Sequence, residues 1–295
     1  MFLSNVLSFV ETTIRSAAGL GLRYLMLAGS AWLLGYVIFK RQWLRRKIIP
    51  HLPKSSEIWR EVRYSVLSMI VFGAVGAATF IAARHGWTRL YWKIGEYGAG
   101  WFWLSILCAM LLHDTYFYWT HRLMHHRLLF KAFHRVHHLS HNPSPWAAYS
   151  FAPLEAVVEA GIFPLSLMVM PMHPWAFGLF MAVQITFNVA GHTGYEFYPR
   201  WLIDTWLGRI MNTPTNHVMH HETMRGNYGL YFNIWDRIMG TNHRDYENRF
   251  REVTSRPPGF GVEAEQEPES LQPPERSGAN PSPSRPSNSL PASLS

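Results

Sequence analysis

Long apolar runs alternate with polar stretches along the chain, and the lengths of the runs set the first expectations. Residues 19–39 are apolar apart from Arg23, and residues 64–83 are rich in Ala, Gly, Val and Ile. Each is long enough to cross a bilayer as a helix, and the small residues of the second let a neighbouring helix approach closely. A third span is expected over 98–119, ending in the aromatic run YFYW. Residues 152–170 and 175–191 are apolar again, with prolines 164, 171 and 174 breaking the helical pattern between them. This reads as a helical hairpin that enters the membrane, crossing it or turning back inside it. Residues 1–18, moderately apolar with Glu11 and Arg15, suit an interfacial amphipathic helix. No basic segment precedes their apolar part, which argues against a cleaved signal peptide. Residues 121–150 are too polar to cross a membrane and are expected as cytoplasmic helices.

The pattern predicts an all-α integral membrane helical bundle with about four spans, or three plus a re-entrant hairpin, under a cytoplasmic helical cap. Three regions follow: N-terminal membrane helices over 1–97, a catalytic region over 98–250 and a tail over 251–295. The tail holds nine of the nineteen prolines among Ser, Glu and Gly, and such a composition buries too little apolar surface to fold. The basic stretch KRQWLRRK at 40–47 directly follows the first span. By the positive-inside rule that end is cytoplasmic, and so is the end of the third span that carries His121. The protein is therefore expected to be multi-pass, with its functional site on the cytoplasmic side.

Composition changes little in this picture. The net charge of +8 lies beside the apolar spans and reports orientation, so a nucleic-acid partner is not expected. The single Cys108 excludes an internal disulfide and any paired-cysteine metal site.

The candidate chemistry is histidine. Eight of the sixteen histidines fall within His113 to His141, in HDTYFYWTHRLMHHRLLFKAFHRVHHLSH. His192 follows in GHTGYE, and His217, His220 and His221 in NHVMHH. His121 and His125 are four apart, which on a helix places them on one face. His134, His137 and His138 form an HxxHH cluster, and His217, His220 and His221 repeat its spacing. Packing does not need histidine at this density, whereas neutral imidazole is the commonest side-chain metal ligand. Eight to ten nitrogens exceed what one ion can use, so two metal ions are expected. His113, two helical turns before His121, is a further candidate as ligand, as a group behind a ligand or as helix packing; His126 and His141 stand open in the same way. Asp114, Glu155, Glu196 and Glu222 are candidates to hold the far nitrogen of a ligand histidine.

These segments, together with FHRVHHLSHNPSPWAA and NTPTNHVMHHETMRGNYGLYFNIWDRIMGT, resemble the sterol desaturase and fatty acid hydroxylase superfamily over roughly residues 100 to 242. The resemblance implies an integral membrane oxygenase with a histidine-ligated di-metal centre of two iron ions, for which zinc can substitute in purified protein. It implies O2 as oxidant, electrons from outside and a lipid substrate that is hydroxylated or desaturated. Carried over by position, the metal ligands are His121, His125, His134, His137, His138, His192, His217, His220 and His221. One departure is visible: Ala152-Pro153-Leu154-Glu155 stands where many members have His-Pro-Leu-Glu.

The residues also suit such chemistry. An alkyl C–H bond has no acidic proton for general bases to take, and a metal with O2 can attack it. The chain shows no flavin or haem-domain motif, so a separate reductase, ferredoxin or cytochrome is expected to donate the electrons. Two rivals stand beside this reading. A non-catalytic metal- or haem-binding membrane protein would leave most of the histidines unused, since haem takes only axial ligands. A membrane zinc hydrolase lacks an HExxH motif and needs fewer ligands.

Overall fold

The structure, a computed structural model, describes residues 2–261. The remainder of the expected tail, 262–295, lies outside the described residues. The described chain is helical, and its only β-type pairings are isolated bridges such as Lys47↔Tyr195.

The first helix, α1 (Phe2–Trp32), continues as a π-helical turn to Ile38. No break separates residues 1–18 from the span that follows, so the expected interfacial helix is instead the first half of one long rod. Helix α2 (Ser55–Arg84) runs antiparallel against it. A Cβ at Gly73 would sit 2.6 Å from the Thr13 carbonyl oxygen and 2.8 Å from the Ala17 Cβ. Only glycine permits that approach, and it fastens the N-terminal half of α1 to α2 rather than leaving it free at an interface. Two helices are long and apolar enough to cross a membrane, Val6–Ile38 and Ser55–Arg84. Both turn large apolar side chains outward, including Leu22, Leu25 and Met26 on α1 and Val66, Ile70 and Phe80 on α2.

Helix α3 (Gly98–Met124) carries the third apolar run. The hairpin follows as α4 (Pro153–Ala160), α5 (Ile162–Val169) and α6 (Pro174–His192). One apolar core joins α1, α2, α4 and α6 through Tyr24, Phe72, Ala156 and Val189. A second joins α3, α5 and α6 through Ala109, Leu167, Met172 and Phe180.

The polar stretch after α3 is not the run of helices that its composition suggested. It holds one short turn of helix at Phe130–Phe133 and 3-10 turns at His137–Leu139 and Pro145–Tyr149. Its shape comes from tertiary contacts with α1 and α2. Tyr24 Oη and Ser65 Oγ both donate to the Trp146 carbonyl, at 2.6 and 2.9 Å. Ser144 Oγ donates to the buried Glu61 carboxylate of α2. Buried backbone needs partners, and α2 supplies them from the side chains of its inward face.

The last elements are α7 (Pro214–Thr223) and α8 (Tyr246–Ser255). Helix α8 runs through the boundary expected at 251, because Phe250 and Val253 are fully buried. Phe250 packs with Ile203 and Met219, and Val253 with Ile48 and Val218. The ordered chain therefore continues past 251 with an apolar face that the proline-rich composition of the region hid.

Candidate metal centre

Four structural pieces deliver the histidines to one place. His121 lies in the last turn of α3 and His125 caps it; their rings are 5.2 Å apart, as spacing by four on a helix requires. His192 ends α6. His217, His220 and His221 lie on α7. His134, His137 and His138 have the same spacing but lie on turns, with His134 closing a short helix and the other two on a 3-10 turn. Equal spacing therefore arises on two different backbones.

The nine imidazoles form two groups whose ligating nitrogens lie within 4.8 Å of one another: His121, His125, His134, His138 and His220 in one, and His137, His192, His217 and His221 in the other. Among the described residues neither group contains a carboxylate or a thiol. The groups adjoin, with the His138 and His221 rings 5.0 Å apart. His113 joins neither. Its Nδ1 bonds the Tyr231 hydroxyl at 2.9 Å, and its ring packs against Phe117 and Phe180. His126 and His141 also lie outside both groups; the His126 ring accepts from the Leu128 amide, and that of His141 lies 3.4 Å from the His221 carbonyl.

The protons on these rings can be placed from their outer partners. His121 Nδ1 faces the Tyr228 carbonyl at 2.9 Å, His192 Nδ1 the Asn188 carbonyl at 2.7 Å, and His220 Nδ1 the Gly226 carbonyl at 2.7 Å. A carbonyl only accepts, so each of these Nδ1 atoms carries the proton and each Nε2 presents a lone pair. His134 Nδ1 bonds the buried Glu155 carboxylate at 2.5 Å. The Nε2 atoms of His121 and His134 are buried without a hydrogen-bond partner. The other Nε2 atoms face one another: His217 to His192 at 2.9 Å, His221 to His217 at 3.2 Å, His138 to His125 at 3.1 Å and His125 to His220 at 3.2 Å. Two Nε2 lone pairs at this distance repel unless one ring carries its proton there or a cation sits between them. The spacing is that between neighbouring nitrogens around an ion bound at about 2.1 Å. The residues present thus fit two metal ions.

Electrostatics favour the same state. Burial first, and the neighbouring imidazoles second, hold His134, His137, His217, His220 and His221 well below the ordinary histidine range. The same causes bring His138 down to about 3. All are neutral near pH 7, the form that ligates metal.

Of the four candidate carboxylates, only Glu155 bonds one of the nine histidines. Asp114 accepts from the Tyr231 and Phe232 amides at 2.8 and 3.1 Å. Glu196 accepts from the Thr215 amide and hydroxyl at the start of α7. Glu222 lies 3.9 Å from Arg249 in an ion pair. Glu155 is on the first turn of α4, behind buried Ala152. The neighbouring Phe151 packs on the His137 ring at 5.1 Å; position 152, an alanine, supplies no imidazole, and the two groups form from the nine histidines.

Several supporting residues escaped the sequence reading. The segment GNYGLYFNIWDRIMGT holds none of the nine histidines, yet it provides the Gly226 and Tyr228 carbonyls. Asp236 shapes that loop by accepting from the Tyr228 and Gly229 amides and the Thr241 hydroxyl, at 2.9, 2.8 and 2.7 Å. Lys47, read as part of a flanking basic cluster, is fully buried. Its Nζ donates to Asn142 Oδ1 at 2.8 Å and lies over the Tyr36 and Tyr195 rings. It thereby ties the loop after His138 to the loop after His192. Gly194, at φ +73°, makes room for it, since a Cβ there would meet the ammonium at 2.1 Å.

Comparison with known proteins follows the same residues. The sequence model of the Fatty acid hydroxylase family matches residues 106–241. A Delta(7)-sterol 5(6)-desaturase of Gibberella zeae is 30% identical over 236 residues, which cover 79% of this chain and 69% of that protein. The chain belongs to the sterol desaturase and fatty acid hydroxylase superfamily. By family it is an oxidoreductase. Other relatives include lathosterol oxidase of Rattus norvegicus, 30% identical over 63% of this chain and 61% of its own length. A putative methylsterol monooxygenase of Dictyostelium discoideum is 34% identical over 49% of this chain and 53% of its own length. The chain therefore spans between about half and about two thirds of the length of these three relatives. No solved structure matches it.

If Glu155 orients a ligand, Glu155→Gln should weaken metal binding about 10- to 100-fold while the protein remains folded in the membrane. Competition against a graded chelator series measures this, and unchanged affinity would remove Glu155 from the centre.

Proposed function

We propose that the protein desaturates or hydroxylates a lipid of the sterol class, using O2 at two histidine-held iron ions and electrons from a separate donor protein. The observation that carries this reading is the convergence of nine imidazoles, eight of them buried, into groups of five and four with no other donor type among them. Iron accepts imidazole ligands, and the relatives are named as a sterol desaturase, a lathosterol oxidase and a putative methylsterol monooxygenase. Neither rival suits such a site. Haem takes ligands on either side of a macrocycle, and a structural or catalytic zinc rarely takes five nitrogens.

When bound, the iron pair supplies the oxidising power to break an unactivated C–H bond with O2. The chain's own part is to hold nine neutral imidazoles by their outer nitrogens and to keep bulk water away. Eight of the nine are buried and His125 is half-buried. The two long apolar helices keep the centre at the membrane, where an insoluble substrate can reach it laterally.

We further infer a multi-pass topology with the centre on the cytoplasmic side. Lys40, Arg41, Arg45 and Arg46 follow α1, Arg60 and Arg63 begin α2, and Arg122, Arg127, Lys131 and Arg135 follow or end α3. All lie at the histidine end of the helices, as the positive-inside rule requires. Single cysteines placed at the exposed positions 127 and 248 should be labelled from the cytoplasmic side, and one at position 95 from the other. Labelling of 95 and 127 from one side would refute this topology.

For the reaction, lipid extracts of a deletion strain should be compared with those of strains complemented by the wild type or by His121→Ala, His137→Ala or His220→Ala. The wild type should restore a sterol-class product lighter by two hydrogens or heavier by one oxygen, and each variant should restore none. A product formed equally by all three variants would refute the histidine mechanism.

A further inference from the structure

Arg23 interrupts the apolar run 19–39, and nothing in the metal centre uses it. It stands near the middle of the long first helix, Val6–Ile38, about 22 Å from its histidine-side end. Its side chain is exposed on the helix and has no hydrogen bond or ion pair among the described residues. A charge inside a membrane span is costly, and such residues face a cavity or a partner. Arg23 lines a cavity of about 350 Å³ between the α1–α2 pair and the hairpin helices α5 and α6, a volume within the range of small-molecule sites. The cavity is elongated: along α2 its wall runs from Phe72 to Ala83, about 16 Å. Arg23 is its only charged wall residue among the described residues. The hydroxyl of Thr79, also in the wall, is already spent on the Val75 carbonyl at 2.7 Å. Arg23 and Phe72 mark the same end, since both adjoin Tyr149: the Phe72 ring lies 5.1 Å from it, and the Arg23 charge acts on its phenol. Two ring contacts connect that end to the four-histidine group, Phe72 to Phe151 at 6.3 Å and Phe151 to His137 at 5.1 Å. The other end is at Trp92 and Pro174, where α6 begins, far from His192 at its close.

We propose that this cavity binds the lipid substrate, with a hydroxyl at one end of the lipid accepting a hydrogen bond from Arg23 and the apolar body lying along α2 toward Trp92. The proposal rests on the lipid-oxidation reading given above and names the place where that lipid is held. The wall sets the chemistry of the occupant. Its length and apolar lining suit a rod-shaped hydrocarbon body, and its single charged donor at one end suits one terminal oxygen. A guanidinium only donates, so the lipid must bring an acceptor. A hydroxyl does so and enters the bilayer at far lower cost than an ionised group. The lipid is thereby oriented, with its hydroxyl-bearing end toward the four-histidine group and its tail away from it.

The test uses full-length protein in phosphatidylcholine nanodiscs, with iron per chain measured on the same samples. Binding of dehydroergosterol, a fluorescent sterol with one hydroxyl, is compared with binding of the same sterol lacking that hydroxyl. The wild type should prefer the hydroxylated sterol about tenfold, the worth of a hydrogen bond to a charged group. Arg23→Leu should erase the preference, and Arg23→Lys, which keeps a charged donor, should retain it. Ala83→Phe, which fills the cavity from the last turn of α2, should weaken both sterols several-fold and leave the preference intact. Iron content should be the same throughout. In the complemented deletion strain, Arg23→Leu should lower the yield of oxidised lipid. A wild type that binds both sterols equally, or an Ala83→Phe variant with unchanged affinity, would overturn the proposal. Unchanged lipid oxidation by Arg23→Leu would also overturn it. Sterol binding as expected in protein that holds no iron would instead overturn the metal-centre reading and leave the lipid site standing. Should Arg23→Leu fail to insert, the wild-type preference and Ala83→Phe decide.

Discussion

Nine imidazoles, eight buried and one half-buried, turn their ring nitrogens toward one another, and everything else in this structure has to accommodate that arrangement. Without cations the Nε2 atoms, several of them 2.9–3.3 Å apart, repel and lack partners. With cations the repulsion becomes coordination. The fold must therefore hold the rings in place before any ion contributes. It does so from the outside, through the second nitrogen of individual rings and through the loops that carry them.

The holding parts come from distant points in the sequence. The Asp236 loop presents the Gly226 and Tyr228 carbonyls to His220 and His121. Helix α6 holds His192 by its own Asn188 carbonyl, and Glu155 of the hairpin holds His134. Lys47, in the stretch between α1 and α2, joins the Asn142 and Gly194 loops. The hydroxyls of α1 and α2 grip the segment between His141 and Phe151. Each of the two long helices thus has two faces, one apolar and exposed and one polar toward the histidine loops.

Much of the site was legible in the sequence because the histidines are dense and recur three and four residues apart, the pattern expected of a set of imidazole ligands. All nine boxed residues come together, and the family resemblance agrees with the matched family and relatives. The less legible parts have physical causes. His134, His137 and His138 copy the spacing of α7 but sit on turns, since hydrogen bonds from α1 and α2 set the backbone there, and spacing does not encode such contacts. Lys47 reads as a solvated charge because charge runs usually are; its burial depends on Tyr36 and on the distant Asn142 and Tyr195. His113 has the right spacing on α3, but the phenol of Tyr231 takes its ring nitrogen. Carbonyl partners such as Tyr228 leave no side-chain signature at all.

The most direct measurement is the number and position of metal ions in protein expressed with ample iron, from metal analysis combined with anomalous scattering. This account predicts two ions per chain. One lies among His121, His125, His134, His138 and His220, and the other among His137, His192, His217 and His221. A single ion per chain, with one anomalous peak touching only one of these groups, would contradict it.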